Sequence, residues 1–123
     1  MPIQAERIEA GIYCARWIDT IASDDLYAAG DAIERLADAD EVEEYVLIVD
    51  GTQAKKLPFH LQSYTNSVKR RTAAILVLNA PVSGEIMGQM FNRLMPLQVK
   101  FFKDWEVLLE AAHTIAGANR TQE

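Results

Sequence analysis

The stretch YVLIVDGT at residues 45–52 decides the fold class of this 123-residue chain. Its first five residues, Tyr45–Val49, are an unbroken apolar run, which is typical of a β-strand that is covered on both faces. A second run of this kind, AAILVL, occupies residues 73–78. Two such strands predict a sheet that is buried between helices, and therefore an α/β fold.

The segments that flank these two strands alternate between strand and helix patterns. Near the start, β-branched and aromatic residues on both sides of Ala10-Gly11 predict a hairpin. Ser23 is in the position of an N-cap, because two carboxylates that favour the positive end of a helix dipole follow it. The remaining predicted elements are a helix with a narrow apolar stripe within residues 58–70, a helix at Ser83–Leu94, a strand at Val99–Phe102 and a final helix capped by Asp104.

Composition predicts one domain. Half of the residues are hydrophobic and 24% are charged, which is the balance of an ordinary globular domain. No repeat and no Pro/Gly/Ser-rich linker divides the chain. We therefore expect a single domain over residues 1–117 and a frayed polar tail at residues 118–123.

Charge and cysteine content exclude several classes of protein. The net charge of −6 has the wrong sign for a surface that grips nucleic acid or an anionic membrane. The first residues lack a signal-peptide pattern, and no apolar run approaches the roughly 18 residues of a membrane span. The single cysteine, Cys14, cannot form an internal disulfide. We expect a cytoplasmic protein without a transmembrane segment.

The order and hydrophobic pattern of these elements resemble the STAS superfamily, and within it proteins similar to the sporulation anti-sigma-factor antagonist. The resemblance covers nearly the whole chain. It rests on the hairpin, the two apolar strands, the helix start Ser23-Asp24-Asp25-Leu26 after Trp17, and Val99–Phe102 leading into Asp104-Trp105. It implies a single-domain mixed sheet of four to five strands with about four flanking helices, and a small regulatory or ligand-sensing module.

Classical members of that superfamily carry a phosphorylatable serine in an Asp-Ser-Ser-Gly stretch at the start of the helix after the central strand. When Asp50 is placed on the aspartate that ends that strand, Thr52 matches a hydroxyl position, but the switch serine falls at Phe59-His60. Neither of these two side chains accepts a phosphate from a serine/threonine kinase. The resemblance therefore implies a regulatory loop, Asp50 to His60, without the phosphoserine switch.

Residue types that carry catalysis or bind metals are few and scattered. Cys14 lies within an apolar strand pattern, which favours a buried thiol over a nucleophile. His60 and His113 have no Cys or carboxylate at ligand spacing, and we expect both at the surface. The sequence predicts a protein that is not an enzyme, with no metal and no cofactor.

Basic residues gather at the two ends of the predicted middle helix. Lys55, Lys56 and Arg71 are a candidate site for an anionic headgroup or a phosphate. A plainer interpretation is that Lys69–Arg71 complement the dipole at the end of that helix. This interpretation does not account for Lys55 and Lys56, so both remain open.

The helix Ser83–Leu94 has a wider apolar surface than one core contact needs. Its apolar residues and glycines cover an arc of about 200°, against roughly 100° for one buried face. Methionines pack readily against varied partners, and Gly84-x-x-x-Gly88 would let another backbone approach closely. A helix buried all round in the core accounts for the same pattern. The candidate partner or ligand surface consists of Met87, Met90, Phe91 and Met95.

Two functions follow from these patterns. The first is a small non-enzymatic regulatory module of STAS type that binds a protein partner or a second copy of itself, as a homodimer. The second is a binder of a small apolar or amphiphilic, lipid-like ligand, as resemblance to lipid-transfer relatives of this fold suggests. In the second case the methionine-rich helix would line a cavity and the basic residues would hold a polar head.

Overall fold

The computed structural model of the chain describes residues 2–57, 64, 66–94 and 98–121. The helices and strands, in chain order, are β1 (Ile3–Glu9), β2 (Ile12–Thr20), α1 (Ser23–Ala39), β3 (Tyr45–Lys56), β4 (Thr72–Leu78), α2 (Val82–Leu94), β5 (Gln98–Phe102) and α3 (Trp105–Thr121). Tyr64, Asn66 and Ser67 are also helical, within the predicted middle helix.

The strands form one five-stranded mixed sheet in the order β1-β2-β3-β4-β5. β1 is antiparallel to β2, and the neighbouring strands from β2 to β5 are parallel. This architecture confirms the predicted α/β fold. Because the spatial order follows the chain order, right-handed crossovers place α1, the helical residues near Tyr64 and α2 on one face of the sheet. α3 follows the last strand and packs on the other face.

The two faces of the sheet bury separate apolar clusters. Alternate strand residues point to opposite faces, so Ile12 and Cys14 lie on the α3 face whereas Tyr13 and Ala15 lie on the α1 face. The buried cluster under α3 comprises Ile12, Cys14, Val46, Ile48, Leu76, Leu78, Leu108, Ala112 and Ala116. The central strands are therefore covered on both sides, as their unbroken apolar runs predict.

The N-cap of helix α1 lies one residue earlier than predicted. Ala22 is the N-cap and Ser23 is the first helical residue. The Asp25 carboxylate accepts a hydrogen bond from the Ala22 backbone N–H at 2.8 Å, which is the contact that an acidic N3 residue makes in a capping box. Later in the helix, Gly30 lies against the Ser67 carbonyl oxygen, which a Cβ at residue 30 would approach to 2.8 Å.

Strand β3 is longer than its apolar run. The predicted regulatory loop begins at Asp50, but residues 50–56 continue the strand to Lys56. The physical reason is that β2 extends to Thr20 and pairs with the polar part of β3, with Ile18 opposite Gln53 and Thr20 opposite Lys56. β4 ends at Leu78 opposite Asp50, so the last residues of β3 pair with β2 alone in this sheet.

Helix α3 has the predicted start. The Asp104 carboxylate accepts a hydrogen bond from the Val107 N–H at 3.2 Å, which confirms Asp104 as the N-cap. The helix continues to Thr121 and so includes residues 118–121, which composition assigned to the polar tail. No helix within the described ranges is long and apolar enough to cross a membrane.

Candidate functional site

An apolar cavity of about 100 Å³ lies on the sheet face that α1 and α2 cover. Its walls include Trp17, Leu57, Tyr64, Val68 and Gly88. The rings of Trp17 and Tyr64 are 6.4 Å apart between centroids. The floor consists of the side chains of β3, β4 and β5 that point to this face, namely Leu47, Val49, Ile75, Val77, Val99 and Phe101. No charged side chain is among the described residues that line the cavity.

The two hydroxyl-bearing side chains of the cavity wall stay neutral. The Ser67 hydroxyl donates a hydrogen bond to the Tyr64 carbonyl oxygen at 2.9 Å, so it is already satisfied. Burial raises the pKa of Tyr64 to about 12. The described wall therefore offers packing contacts and no counter-charge.

Gly88 fixes how closely α2 approaches the sheet. A Cβ at this position would overlap with Cζ of Phe101, so the aromatic ring occupies the space that a side chain would need. The interpretation of Gly84-x-x-x-Gly88 as a docking motif for a partner backbone is wrong at Gly88, because this glycine faces a ring of its own chain.

The outer side of α2 presents an apolar pair. Ile86 is 47% exposed and Met90 is 44% exposed, and their i, i+4 spacing places them on one side of the helix. Of the four residues in the predicted partner or ligand surface, Met90 alone has a described side chain, and it is not among the residues that line the cavity. The side chains of Met87 and Phe91 and all of Met95 lie outside the described residues.

Two described residues of the predicted regulatory loop, Asp50 and Thr52, belong to a hydrogen-bonded cluster at the end of the α3 face. The exposed Thr52 hydroxyl donates to Asp50 Oδ1 at 2.6 Å and accepts from Asn79 Nδ2 at 3.0 Å. Asn79 has a φ of 52°, in the left-handed region that asparagine tolerates. Arg16 Nε lies 3.5 Å from Asp50 Oδ2. Phe59 and His60 lie outside the described residues, so the predicted absence of a phosphoserine switch in this loop stays a prediction.

The candidate anion site of Lys55, Lys56 and Arg71 is not assembled. The Tyr45 N–H donates to the Arg71 carbonyl oxygen at 2.9 Å, which places Arg71 at the start of β3. Lys55 is ten residues further along the same strand, a span of roughly 33 Å at about 3.3 Å per residue. Lys55 pairs with Asp19 at 3.4 Å. Arg71 therefore lies at the opposite end of β3 from Lys55 and Lys56, and the three basic residues do not form one site.

Arg71 instead ties β4 to α1. Its guanidinium donates to Asp38 Oδ1 at 2.6 Å and lies 3.3 Å from Glu34, and it also donates to the carbonyl oxygens of Val42 and Glu43. The hydrogen bond to Asp38 raises the pKa of Arg71 further. The sequence pattern groups Arg71 with Lys55 and Lys56 at the two ends of the predicted middle helix, and no local pattern indicates its acidic partners, which lie more than thirty residues away along the chain.

The isolated cysteine and histidine carry no catalytic arrangement within the described ranges. Cys14 is buried, and desolvation raises the pKa of its thiol to about 12, so the nucleophilic thiolate is disfavoured. His113 is exposed and its Nε2 contacts a Glu9 carboxylate oxygen. No group of three or more potential metal ligands occurs among the described residues.

Comparison with known proteins identifies the fold. No family model and no curated protein matches the chain. Among solved structures, it is similar to an uncharacterised DUF3478-family protein from Shewanella loihica PV-4 that has a SpoIIAA-like fold, with a TM-score of 0.63 and 17% sequence identity. The match covers 89% of this chain and 91% of that chain. The chain therefore has the STAS-like fold that its sequence resembles.

Proposed function

We propose that this protein is a small, non-enzymatic regulatory module of STAS type that acts by binding a protein partner or a second copy of itself. The observation that carries this proposal is the exposed pair Ile86 and Met90 on the outer side of α2. Apolar side chains that share one exposed helix face are suited to a groove on another protein. The STAS-like fold supports the same conclusion by analogy.

The surroundings of this pair fit a transient interface. Gln89 and Arg93 are also exposed on α2 and flank this side of the helix, so the apolar pair has polar neighbours, as the rim of an interface does. Two half-exposed side chains are a small anchor, which suits a module that binds and releases its partner. Because the single cysteine is a buried free thiol, which suits a reducing compartment, we place this activity in the cytoplasm.

The test compares a double substitution with a single control substitution. Ile86→Ser with Met90→Ser removes the apolar pair of α2, and Val107→Ser removes an apolar residue of similar exposure, 54% accessible, from α3 as the control. Sedimentation velocity at several concentrations reports self-association, and capture from lysate of the source cells compares bound proteins. We expect association to be lost in the α2 variant and kept in the α3 variant. Equal behaviour of both variants in both assays contradicts the proposal.

A second candidate function is the binding of a small apolar ligand, and the apolar cavity beneath α2 favours it. An amphiphilic ligand would lack the predicted site for its polar head. Arg71 pairs with acidic residues of α1 at the opposite end of β3 from Lys55 and Lys56. Met90 also faces away from the cavity rather than lining it.

A further inference from the structure

We propose that the cavity beneath α2 is a binding site for a small, uncharged, flat molecule about the size of one aromatic ring. This inference rests on the second proposed function, ligand binding, and names the class of ligand. It excludes fatty acids and other amphiphiles with an anionic head as the preferred occupants.

The side chains of the cavity wall determine which charge a ligand can carry. The sheet floor is entirely apolar, and the described wall residues include no cation and no carboxylate. Moving an ion into such surroundings costs several kcal/mol unless a partner compensates it. The nearest polar groups of the wall, Tyr64 and Ser67, are neutral, and the Ser67 hydroxyl is already bonded. An uncharged molecule meets no such cost.

The size of the ligand follows from the volume. Sites for drug-sized molecules usually enclose roughly 300–1,000 Å³, several times the volume of this cavity, about 100 Å³. An apolar cavity of roughly 150 Å³ stays dry and accepts benzene. The present cavity is smaller than that example but partly open, so it can hold one aromatic ring whose edge stays at the opening, and it is too small to enclose an extended chain.

The shape of the ligand follows from the aromatic side chains. Trp17 and Tyr64 lie side by side at the wall with their ring planes tilted by 36°, and Phe101 lies against Gly88 below α2. Rings of this kind attract a further ring through edge-to-face and offset contacts. Because Gly88 has no side chain, the Phe101 ring remains below the helix and defines one end of the space.

The test uses benzene, benzoate and decanoate as probes of the full-length chain. Methyl NMR signals of Val49, Ile75 and Val99 report the cavity floor, and thermal melting reports binding to the folded state. We expect benzene to shift these signals saturably and to raise the Tm, and we expect benzoate at the same concentration to do neither. Val77→Phe fills the cavity and should abolish the benzene response, whereas Val107→Phe on the exposed side of α3 should keep it.

A second variant keeps the test decisive if Val77→Phe does not fold. Val77→Met adds a flexible side chain that adapts to the available space, and it should weaken the benzene response at least several-fold while the chain remains folded. Decanoate binding without benzene binding overturns the inference but leaves ligand binding in place. If none of the three probes perturbs the floor signals, both the inference and the ligand-binding function are wrong. An unchanged benzene response in a folded Val77→Phe variant also overturns the inference.

Discussion

The side-chain amide of Asn92 binds both backbone groups of Val99. Asn92 Nδ2 donates to the Val99 carbonyl oxygen at 3.0 Å, and the Val99 N–H donates to Asn92 Oδ1 at 2.6 Å. β5 is the last strand in the sheet, with β4 on its inner side. The amide therefore forms hydrogen bonds with both backbone groups of Val99 at the edge of the sheet, as a further strand would. These hydrogen bonds also connect α2 to β5 beside the cavity.

Replacing Asn92 by alanine removes two hydrogen bonds from a buried strand residue. We expect a loss of about 1–3 kcal/mol in the free energy of unfolding, measured by urea denaturation, because the N–H and the carbonyl oxygen of Val99 both lose their side-chain partner. The freed edge of β5 should also promote self-association, because unpaired strand edges recruit other chains. Gln89→Ala, at an exposed position of the same helix, should change stability by less than about 0.5 kcal/mol. Equal effects of the two substitutions would contradict the assigned role of Asn92.

Two glycines in helices should respond to alanine with opposite signs. At Gly117 a Cβ meets nothing within 4 Å, so Gly117→Ala should stabilise the protein by about 0.5–1 kcal/mol through helix propensity. At Gly30 a Cβ would lie 2.8 Å from the Ser67 carbonyl oxygen. A backbone atom cannot move aside cheaply, so Gly30→Ala should destabilise by about 1–3 kcal/mol. Chemical denaturation of both variants under one condition measures the contrast, and stabilisation at Gly30 would show that the close approach is absent.

Local patterns were sufficient for the framework of the fold. The apolar run Tyr45–Val49 and its counterpart at residues 73–78 identify the two central strands, because burial on both faces leaves no alternation of polar residues. The cap at Asp104 is readable for a similar reason, since a cap acts within one turn of the chain. These features depend on neighbours in sequence, and the sequence records them directly.

Features that depend on distant residues could not be read in this way. The polar end of β3 is a strand because β2 pairs with it, and no pattern within residues 51–56 indicates that pairing. Arg71 stands beside basic residues in sequence but beside Asp38 and Glu34 in space. The cavity is a gap between packed elements, so no residue pattern marks it. The wide apolar arc of α2 was informative, but only the fold reveals that Gly88 faces inward and Met90 outward.

Trp105 should contribute more to stability than its neighbour Val107. Trp105 is half-buried and packs against the cluster under α3, whereas Val107 is more than half exposed on the same turn. We expect Trp105→Ala to cost about 3 kcal/mol, the lower end of the range for a large aromatic, because the ring is only partly covered. Val107→Ala should cost less than about 0.5 kcal/mol. Thermal and urea unfolding of the two variants test this, and a loss below 1 kcal/mol at Trp105 would mean that α3 is anchored elsewhere.

The cluster of Tyr13, Asp40 and Arg7 should shape the stability of the protein in acid. The Tyr13 hydroxyl donates to Asp40 Oδ2 at 2.6 Å, and Arg7 Nε donates to the same carboxylate oxygen at 2.9 Å. These hydrogen bonds, first that of Tyr13 and then that of Arg7, lower the pKa of Asp40. As the pH falls, the unfolded chain therefore takes up the Asp40 proton before the folded chain does. The resulting stability is present above the unfolded pKa of about 3.9 and is lost as the pH falls through the lower folded pKa.

Tyr13→Phe removes the larger of the two causes without changing a formal charge. We expect this variant to be less stable than the wild type at pH 7 and to lose less additional stability between pH 5 and pH 2, because its Asp40 pKa lies closer to the unfolded value. Tyr27→Phe, at an exposed tyrosine of α1, should follow the wild-type curve throughout. Urea midpoints measured by circular dichroism across this pH range give the comparison. If the Tyr13→Phe and wild-type curves run parallel down to pH 2, Tyr13 does not set the ionisation of Asp40.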